Sequence, residues 1–204
     1  MGKYVKIMKR LLLIAFLVLS LYDVKAQEKI SEYYSSYFDE VYDISATNDE
    51  GDLHLYIQVA GERQHDLVMF NITGVRKINE FSNALKLAKE KFVEWSSTAE
   101  ENNVRNFDKD IDVVFPNITV CWYGLEWWFD FYVRLNPRFV VTESGKCVFV
   151  MSGTVTASSN EYIDQEYYFA LSSKSDFDEL IRNIEVGNLM DYFNKQENID
   201  TLFK

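Results

Sequence analysis

One long stretch of helical periodicity, set among strand-like patterns, most constrains the fold of this chain. Apolar side chains recur at spacings of three and four residues from Ile78 to Trp95. This spacing places them on one face of an α-helix, with most of the charged residues between them on the other face. The pattern predicts an amphipathic helix over about residues 77–97, which needs an apolar surface to pack against.

Strand-like patterns lie on both sides of this helix. Leu53, Leu55, Ile57 and Val59 alternate with polar residues, which is the period of a half-buried strand. Short connections such as Ser144-Gly145 require neighbouring strands to be antiparallel. The remaining strands are predicted over residues 37–46, 67–72, 111–122, 129–135, 138–143, 146–157 and 161–171. Residues 28–36 and 100–109 read as polar connections.

The end of the chain predicts short helices. Ser175 is expected to cap a helix that has Asp178 at its third position, and Gly187 is expected to end it. A further turn of helix is expected around residues 189–194. The whole order predicts an α+β fold: a curved, mainly antiparallel β-sheet with the long amphipathic helix packed on one face and short C-terminal helices. A partly closed β-barrel or roll is the alternative.

The first 26 residues have the pattern of a secretory signal peptide. Four basic residues precede an apolar run from Leu11 to Tyr22, and Val24 and Ala26 occupy the −3 and −1 positions of a cleavage site. A run of this length spans about 18 Å as a helix, against about 30 Å of bilayer hydrocarbon. We therefore predict a signal peptide over residues 1–26 and a single globular domain over 27–204. The domain would be soluble, without stable membrane insertion after cleavage, and periplasmic or secreted.

The acidic balance restricts the partners of the exported domain. The formal net charge is −11, and loss of five basic residues and one acidic residue with the leader takes it to −15. A polyanion repels nucleic-acid phosphates and anionic lipids, so we expect no nucleic-acid partner. Neutral or cationic partners remain. The alternative is that the charge only keeps an aromatic-rich protein soluble.

Motifs for metal, cofactor or nucleophilic chemistry are weak, and we predict no catalytic residue, cofactor or metal. The two histidines, His54 and His65, have no metal-ligand spacing between them. Asp108, Asp110 and Asp112 are spaced as a calcium loop begins, but the glycine and glutamate that such a loop requires later are missing.

The two cysteines, Cys121 and Cys147, lie on predicted strands. An oxidising compartment favours a disulfide between them, whereas a simple meander of strands would keep them apart. Two small buried side chains are the other interpretation. The sequence leaves both open.

The most unusual stretch runs from Trp122 to Tyr132 and contains three of the four tryptophans. Both faces of such a strand cannot be exposed, because that would leave a large apolar area in water. Either both faces are covered, as at a sheet centre, or one is a binding platform in which rings supply contact and polar groups give direction. By strict alternation Trp127, Phe129 and Phe131 share one face. We predict that the binding residues are Trp122, Tyr123, Trp128, Asp130, Tyr132 and Arg134.

These residues favour a non-catalytic binding module that recognises a peptide, protein or glycan through an aromatic-rich sheet surface. Two alternatives remain. One is an envelope hydrolase that uses a carboxylate pair such as Glu126 and Asp130, with one pKa raised by the aromatic surroundings. The other is a structural subunit that buries the aromatic face against copies of itself, as a homo-oligomer.

Overall fold

The computed structural model describes residues 27–49 and 51–202, so the predicted signal peptide, residues 1–26, lies outside the described residues. The strands are β1 Glu28–Ser35, β2 Glu40–Asp49, β3 Asp52–Gly61, β4 Leu67–Thr73, β5 Phe107–Asp110, β6 Ile118–Tyr123, β7 Trp127–Val133, β8 Pro137–Val141, β9 Cys147–Thr156 and β10 Asp164–Leu171. The helices are α1 Val75–Glu101, α2 Lys174–Ile184 and α3 Val186–Leu202. The predicted α+β class is confirmed.

All the strands belong to one antiparallel sheet that branches at β3. The main path runs β5-β8-β9-β10-β3-β4-β6-β7, and β2 and β1 leave it from β3. The branch arises because the first part of β3, as far as Ile57, pairs with β2, whereas Ala60 and Gly61 pair with β10. The sheet is open, since β5 and β7 end its path.

The core lies inside the curve of this sheet. Alternate residues of β3 from Leu53 to Val59 are fully buried, as their spacing predicts. Phe70 of β4 touches Phe169 and Tyr167 of β10, with ring centroids 6.0 and 5.4 Å apart. The sheet has two limbs, β5-β8-β9-β10 on one side of β3 and β4-β6-β7 on the other. These two limbs therefore face each other across the core.

Helix α1 covers the inner face and carries the predicted apolar stripe. Ile78, Phe81, Leu85, Ala88 and Phe92 are all buried. The helix is longer than the predicted 77–97 and begins directly after Gly74. That glycine has a φ of 88°, a left-handed value that lets the chain turn from β4 into the helix without steric cost.

Three strand predictions need correction. The polar lead-in 28–36 is β1, whose alternation is hidden by a register shift between Lys29 and Ser31. The polar connection 100–109 contains the start of the short edge strand β5. Residues 111–117 are not a strand, because Pro116 cannot donate a ladder hydrogen bond there and the chain buries only single side chains such as Phe115.

The predicted ends of the C-terminal helices also need correction. Ser173, not Ser175, caps α2, and Asp176 completes a capping box by accepting from the backbone N–H groups of Ser172 and Ser173. The Ser-x-x-Asp spacing occurs twice in this segment, starting at Ser173 and at Ser175. The prediction used the second occurrence and therefore placed the cap two residues too late. Gly187 does not end a helix either; it lies in the first turn of α3.

Candidate functional site

The unusual aromatic stretch forms the β6–β7 hairpin at one end of the sheet path. Its register pairs Trp122 with Trp128, Tyr123 with Trp127 and Cys121 with Phe129. Residues that face each other in an antiparallel pair point to the same side of the sheet. The hairpin therefore has an inner row, toward the core and α1, and an outer row.

The inner row holds three of the predicted binding residues. Trp122 is only 3% exposed, and Trp128 packs against the core beside it. Asp130 lies opposite the buried Val120 and accepts a hydrogen bond of 3.3 Å from the Ser158 hydroxyl. Burial, and to a smaller extent the negative charge of Asp130, raises the pKa of Tyr167. These side chains support the fold from the inside.

The outer aromatic row consists of Tyr123, Trp127, Phe129 and Phe131, which are 52%, 40%, 38% and 54% exposed. The Tyr123 and Trp127 rings meet edge to face with centroids 5.4 Å apart. The Phe129 and Phe131 rings lie 6.2 Å apart with planes within 4° of parallel. Leu125 at the hairpin tip is also fully exposed. The row is an apolar surface that the described residues leave open to solvent.

A β-bulge ends the regular alternation of β7. Val120 faces Asp130 but Ile118 faces Val133, so Thr119 lies opposite both Phe131 and Tyr132. Val133, rather than Tyr132, therefore continues the inner row. Tyr132 itself has a φ of 63° and is 80% exposed. A left-handed φ is unfavourable for any residue with a Cβ atom. Because the Tyr132 ring is mostly exposed, its packing does little to offset this backbone strain.

Arg134 lies apart from the other predicted residues. It is exposed beyond the end of β7 and lines a cavity of about 450 Å³ that is also bounded by Asp110 and Asp112. The structure thus brings together Trp122, Trp128 and Asp130 inside, Tyr123 outside and Tyr132 on the bulge, and it separates Arg134 from them.

Three exposed rings, Trp127, Phe129 and Phe131, were not among the predicted binding residues. A signal for them exists in the preceding strand. Ile118, Val120 and Trp122 are consistently apolar, whereas Thr119 between them is polar. That contrast identifies the inner side of β6, and the register then carries it to β7.

A polar zone adjoins the outer aromatic row on the same side of the sheet. It consists of His54, Tyr56, Asn71, Thr73 and Thr119, which follow one another through the cross-strand pairs His54–Thr73, Tyr56–Asn71 and Asn71–Thr119. The Thr73 hydroxyl donates to Asn71 Oδ1 at 3.1 Å and lies 3.1 Å from His54 Nδ1. The zone is an array of hydroxyl, amide and imidazole groups.

Two sulfur-containing side chains, Met69 of β4 and Cys121 of β6, lie between β7 and β3 on the outer side of the sheet. Met69 and Cys121 face outward by register but are buried. Burial raises the pKa of the Cys121 thiol to about 12. Gln27 Nε2 approaches Met69 Sδ at 3.4 Å. Cys121 and Cys147 are free thiols on separate limbs of the sheet, so the disulfide interpretation does not hold.

The backbone edge of β7 beside the row is already occupied. The Ser158 N–H donates to the carbonyl oxygen of Phe129 at 2.8 Å, and the Phe131 N–H donates to Ser158 Oγ at 3.2 Å. A peptide cannot add to the sheet at these residues without displacing Ser158. The row presents side chains to a partner rather than backbone.

The carboxylates considered for catalysis or metal binding have different surroundings. Glu126 is exposed in the hairpin turn, whereas Asp130 is partly buried and bonded to Ser158. Asp108 forms an ion pair with Arg138. Within residues 27–49 and 51–202 no three His, Cys, Asp or Glu side chains are grouped to hold a metal ion.

No helix in the described part of the chain combines the length and apolar character needed to cross a bilayer. The chain matches no known protein family, no curated protein and no solved structure.

Proposed function

We propose that this protein is a non-catalytic binding module that recognises its partner through the outer aromatic row. The observation that carries the proposal is the row itself: Tyr123, Trp127, Phe129 and Phe131 point to one side of one hairpin, each between 38% and 54% exposed. A contiguous exposed apolar patch rimmed by polar groups is typical of an interaction surface. Rigid rings supply contact area at a low cost in conformational entropy.

The surroundings of the row favour recognition over catalysis. Two sides of the hairpin are occupied, the inner face by the core and the β7 edge by Ser158. The remaining side is an open sheet surface, whereas enzymes generally bind substrates in concave sites that exclude water. Of the residues predicted from sequence, Tyr123 and Tyr132 belong to this open surface. Trp127, Phe129 and Phe131 extend it.

We also propose that the protein works outside the cytoplasm. The support is the three-part pattern of residues 1–26, with its basic start, apolar run and small residues at Val24 and Ala26. Fractionation of expressing cells and mass measurement of the recovered chain test this. A chain that starts at Gln27 in the exported fraction is expected, and a full-length chain confined to the cytoplasm would overturn the proposal.

The binding role is tested with the double variant Trp127→Ala/Phe131→Ala. Wild-type protein is passed over immobilised panels of polysaccharides and short peptides, and retained ligands are titrated. We expect affinity to fall at least tenfold in the double variant, because central aromatic side chains dominate such interfaces. The melting temperature should fall only slightly, because both rings are exposed.

Phe107→Ala is the matched control. Phe107 is as exposed as Trp127 but lies on β5, at the opposite end of the sheet path. It should bind as the wild type does. Unchanged affinity in the double variant, or no retention of the wild type on any panel, would contradict the proposal.

A further inference from the structure

The outer face of the sheet, formed by the outward-facing residues of β3, β4, β6 and β7, carries little charge. On β3, β4, β6 and β7 the outward-facing residues of the described chain include one charged side chain, Asp52, which lies 3.3 Å from His54 Nε2. This is unusual in a chain with a net charge of −11. On the neighbouring strands β1 and β2, by contrast, Lys29 forms ion pairs with Glu32 and Asp43. We propose that the outer face binds a neutral glycan, an inference that rests on the proposed function and names its ligand class.

Sugar rings need the two kinds of surface that adjoin here. The C–H faces of a pyranose pack on aromatic rings, and its hydroxyl groups both donate and accept hydrogen bonds. The outer aromatic row supplies the rings. The polar zone supplies hydroxyl and amide groups of Tyr56, Asn71 and Thr119, which also donate and accept. Neither surface contains a Lys, Arg, Asp or Glu side chain that would select a charged ligand.

The two surfaces are joined in one line across the sheet. Tyr56 pairs with Asn71, Asn71 pairs with Thr119, and Thr119 lies opposite Phe131 and Tyr132 at the bulge. Three strand spacings of about 4.8 Å make this line roughly 14 Å long. A short oligosaccharide laid across the strands would contact the hydroxyl and amide groups at one end and the rings at the other.

The bulge adds an aromatic group at the end of that line. Tyr132 holds its left-handed backbone with its ring 80% exposed, so its packing in the free protein does little to offset the strain. Its hydroxyl and ring extend from the strand next to Phe131. Tyr132 therefore determines specificity at the bulge end of the site.

Peptide recognition fits these observations less well. Strand addition at Phe129 and Phe131 is blocked by Ser158. A cationic peptide would need carboxylates, which the outer face lacks apart from Asp52 at its margin. A peptide ligand is accordingly an outcome that counts against the inference.

The test uses the protein as it is recovered from expressing cells and three sets of immobilised probes: neutral hexasaccharides built from glucose, mannose, galactose or xylose, uronic-acid hexasaccharides, and short peptides of mixed sequence. We expect retention of at least one neutral hexasaccharide, with affinity insensitive to salt. Trp127→Ala should weaken this binding about tenfold, and Thr119→Val and Tyr132→Ala should each weaken it severalfold. Phe107→Ala should leave it unchanged.

The outcomes separate the inference from the proposed function. Retention of peptides alone, lost in Trp127→Ala, would overturn the glycan inference and leave the binding module in place. Retention of uronic-acid probes that weakens as the salt concentration rises would also overturn the neutral-glycan inference and leave the binding module in place. Binding that Trp127→Ala does not weaken, no retention of any probe, or self-association through the row seen by light scattering would overturn both.

Discussion

The two sides of the β6–β7 hairpin carry the same kinds of side chain and meet opposite environments. Trp122 is 3% exposed, whereas Trp127, one cross-strand pair away on the other side, is 40% exposed. The opposite limb of the sheet lies against the inner side, and no comparable layer from the described residues lies over the outer side. Aromatic content alone therefore does not distinguish core from surface in this hairpin; the side on which each ring falls does.

Truncating one tryptophan on each side tests the difference between the two environments most directly. Trp122→Ala should lower the free energy of unfolding by about 3–5 kcal/mol, because it leaves a large cavity in the core. Trp127→Ala should cost less than about 1 kcal/mol, because water already reaches that ring. Urea unfolding of the two variants measures the difference. Equal losses would show that the outer row is part of the core.

Cys121 tests where the outer surface becomes core, because it faces outward but is buried. Its pKa is raised to about 12 from a usual value of 9.0, so the native state keeps the proton when the unfolded chain has lost it. This contribution to stability is complete below about pH 9 and is lost as the pH rises toward 12. The loss is up to about 1.4 kcal/mol for each pH unit.

The measurement is urea unfolding at about pH 8 and about pH 10, with Cys121→Ala as the reference. Buried tyrosines such as Tyr33 and Tyr42 also have raised pKa values and contribute to both proteins equally. The wild type should lose more stability than the reference by about 1 kcal/mol at the higher pH. Parallel pH profiles would indicate that Cys121 is open to solvent.

Ser158 forms hydrogen bonds with the backbone edge of β7, which lies between the inner and outer sides of the hairpin. Ser158→Ala removes the acceptor for the Phe131 N–H and should cost about 1 kcal/mol. The exchange of the Phe131 amide hydrogen should become faster, which hydrogen exchange followed by NMR detects. Ser159→Ala changes a neighbouring exposed serine and should have neither effect. Unaltered exchange in Ser158→Ala would mean that this edge is held in another way.

An effect of similar size is expected for Tyr132 at the bulge. Tyr132→Gly should be more stable than Tyr132→Ala by about 1 kcal/mol, because glycine adopts the φ of 63° without steric cost whereas alanine does not. Both variants lose the ring, so the pair isolates the backbone contribution. Thermal unfolding measures it, and equal stability would show that the bulge relaxes when the ring is removed.

Much of the fold followed from local patterns. The stripe from Ile78 to Phe92 identified α1 because helical periodicity depends on residues three and four apart. Alternation from Leu53 to Val59 identified β3 for the same local reason. The candidate site was less accessible. The stretch from Trp122 to Tyr132 stood out in the sequence, and the prediction included the exposed Tyr123 and Tyr132. It also chose Trp122, Trp128 and Asp130 of the inner row, and it left out the exposed rings of Trp127, Phe129 and Phe131.

The difference has a physical cause. Period and turn chemistry act within a few residues, so helix α1, the main strands and their antiparallel pairing can be read from the order of side chains. Which side of a strand is buried depends on what packs there, and the packing partners of β7 come from distant parts of the chain: Ser158, Tyr167 and β9. The branch at β3 likewise arises from pairing between distant segments, because Ala60 and Gly61 pair with Tyr168 and Tyr167 of β10. Contacts across the chain, rather than the aromatic residues themselves, thus decided which rings face water.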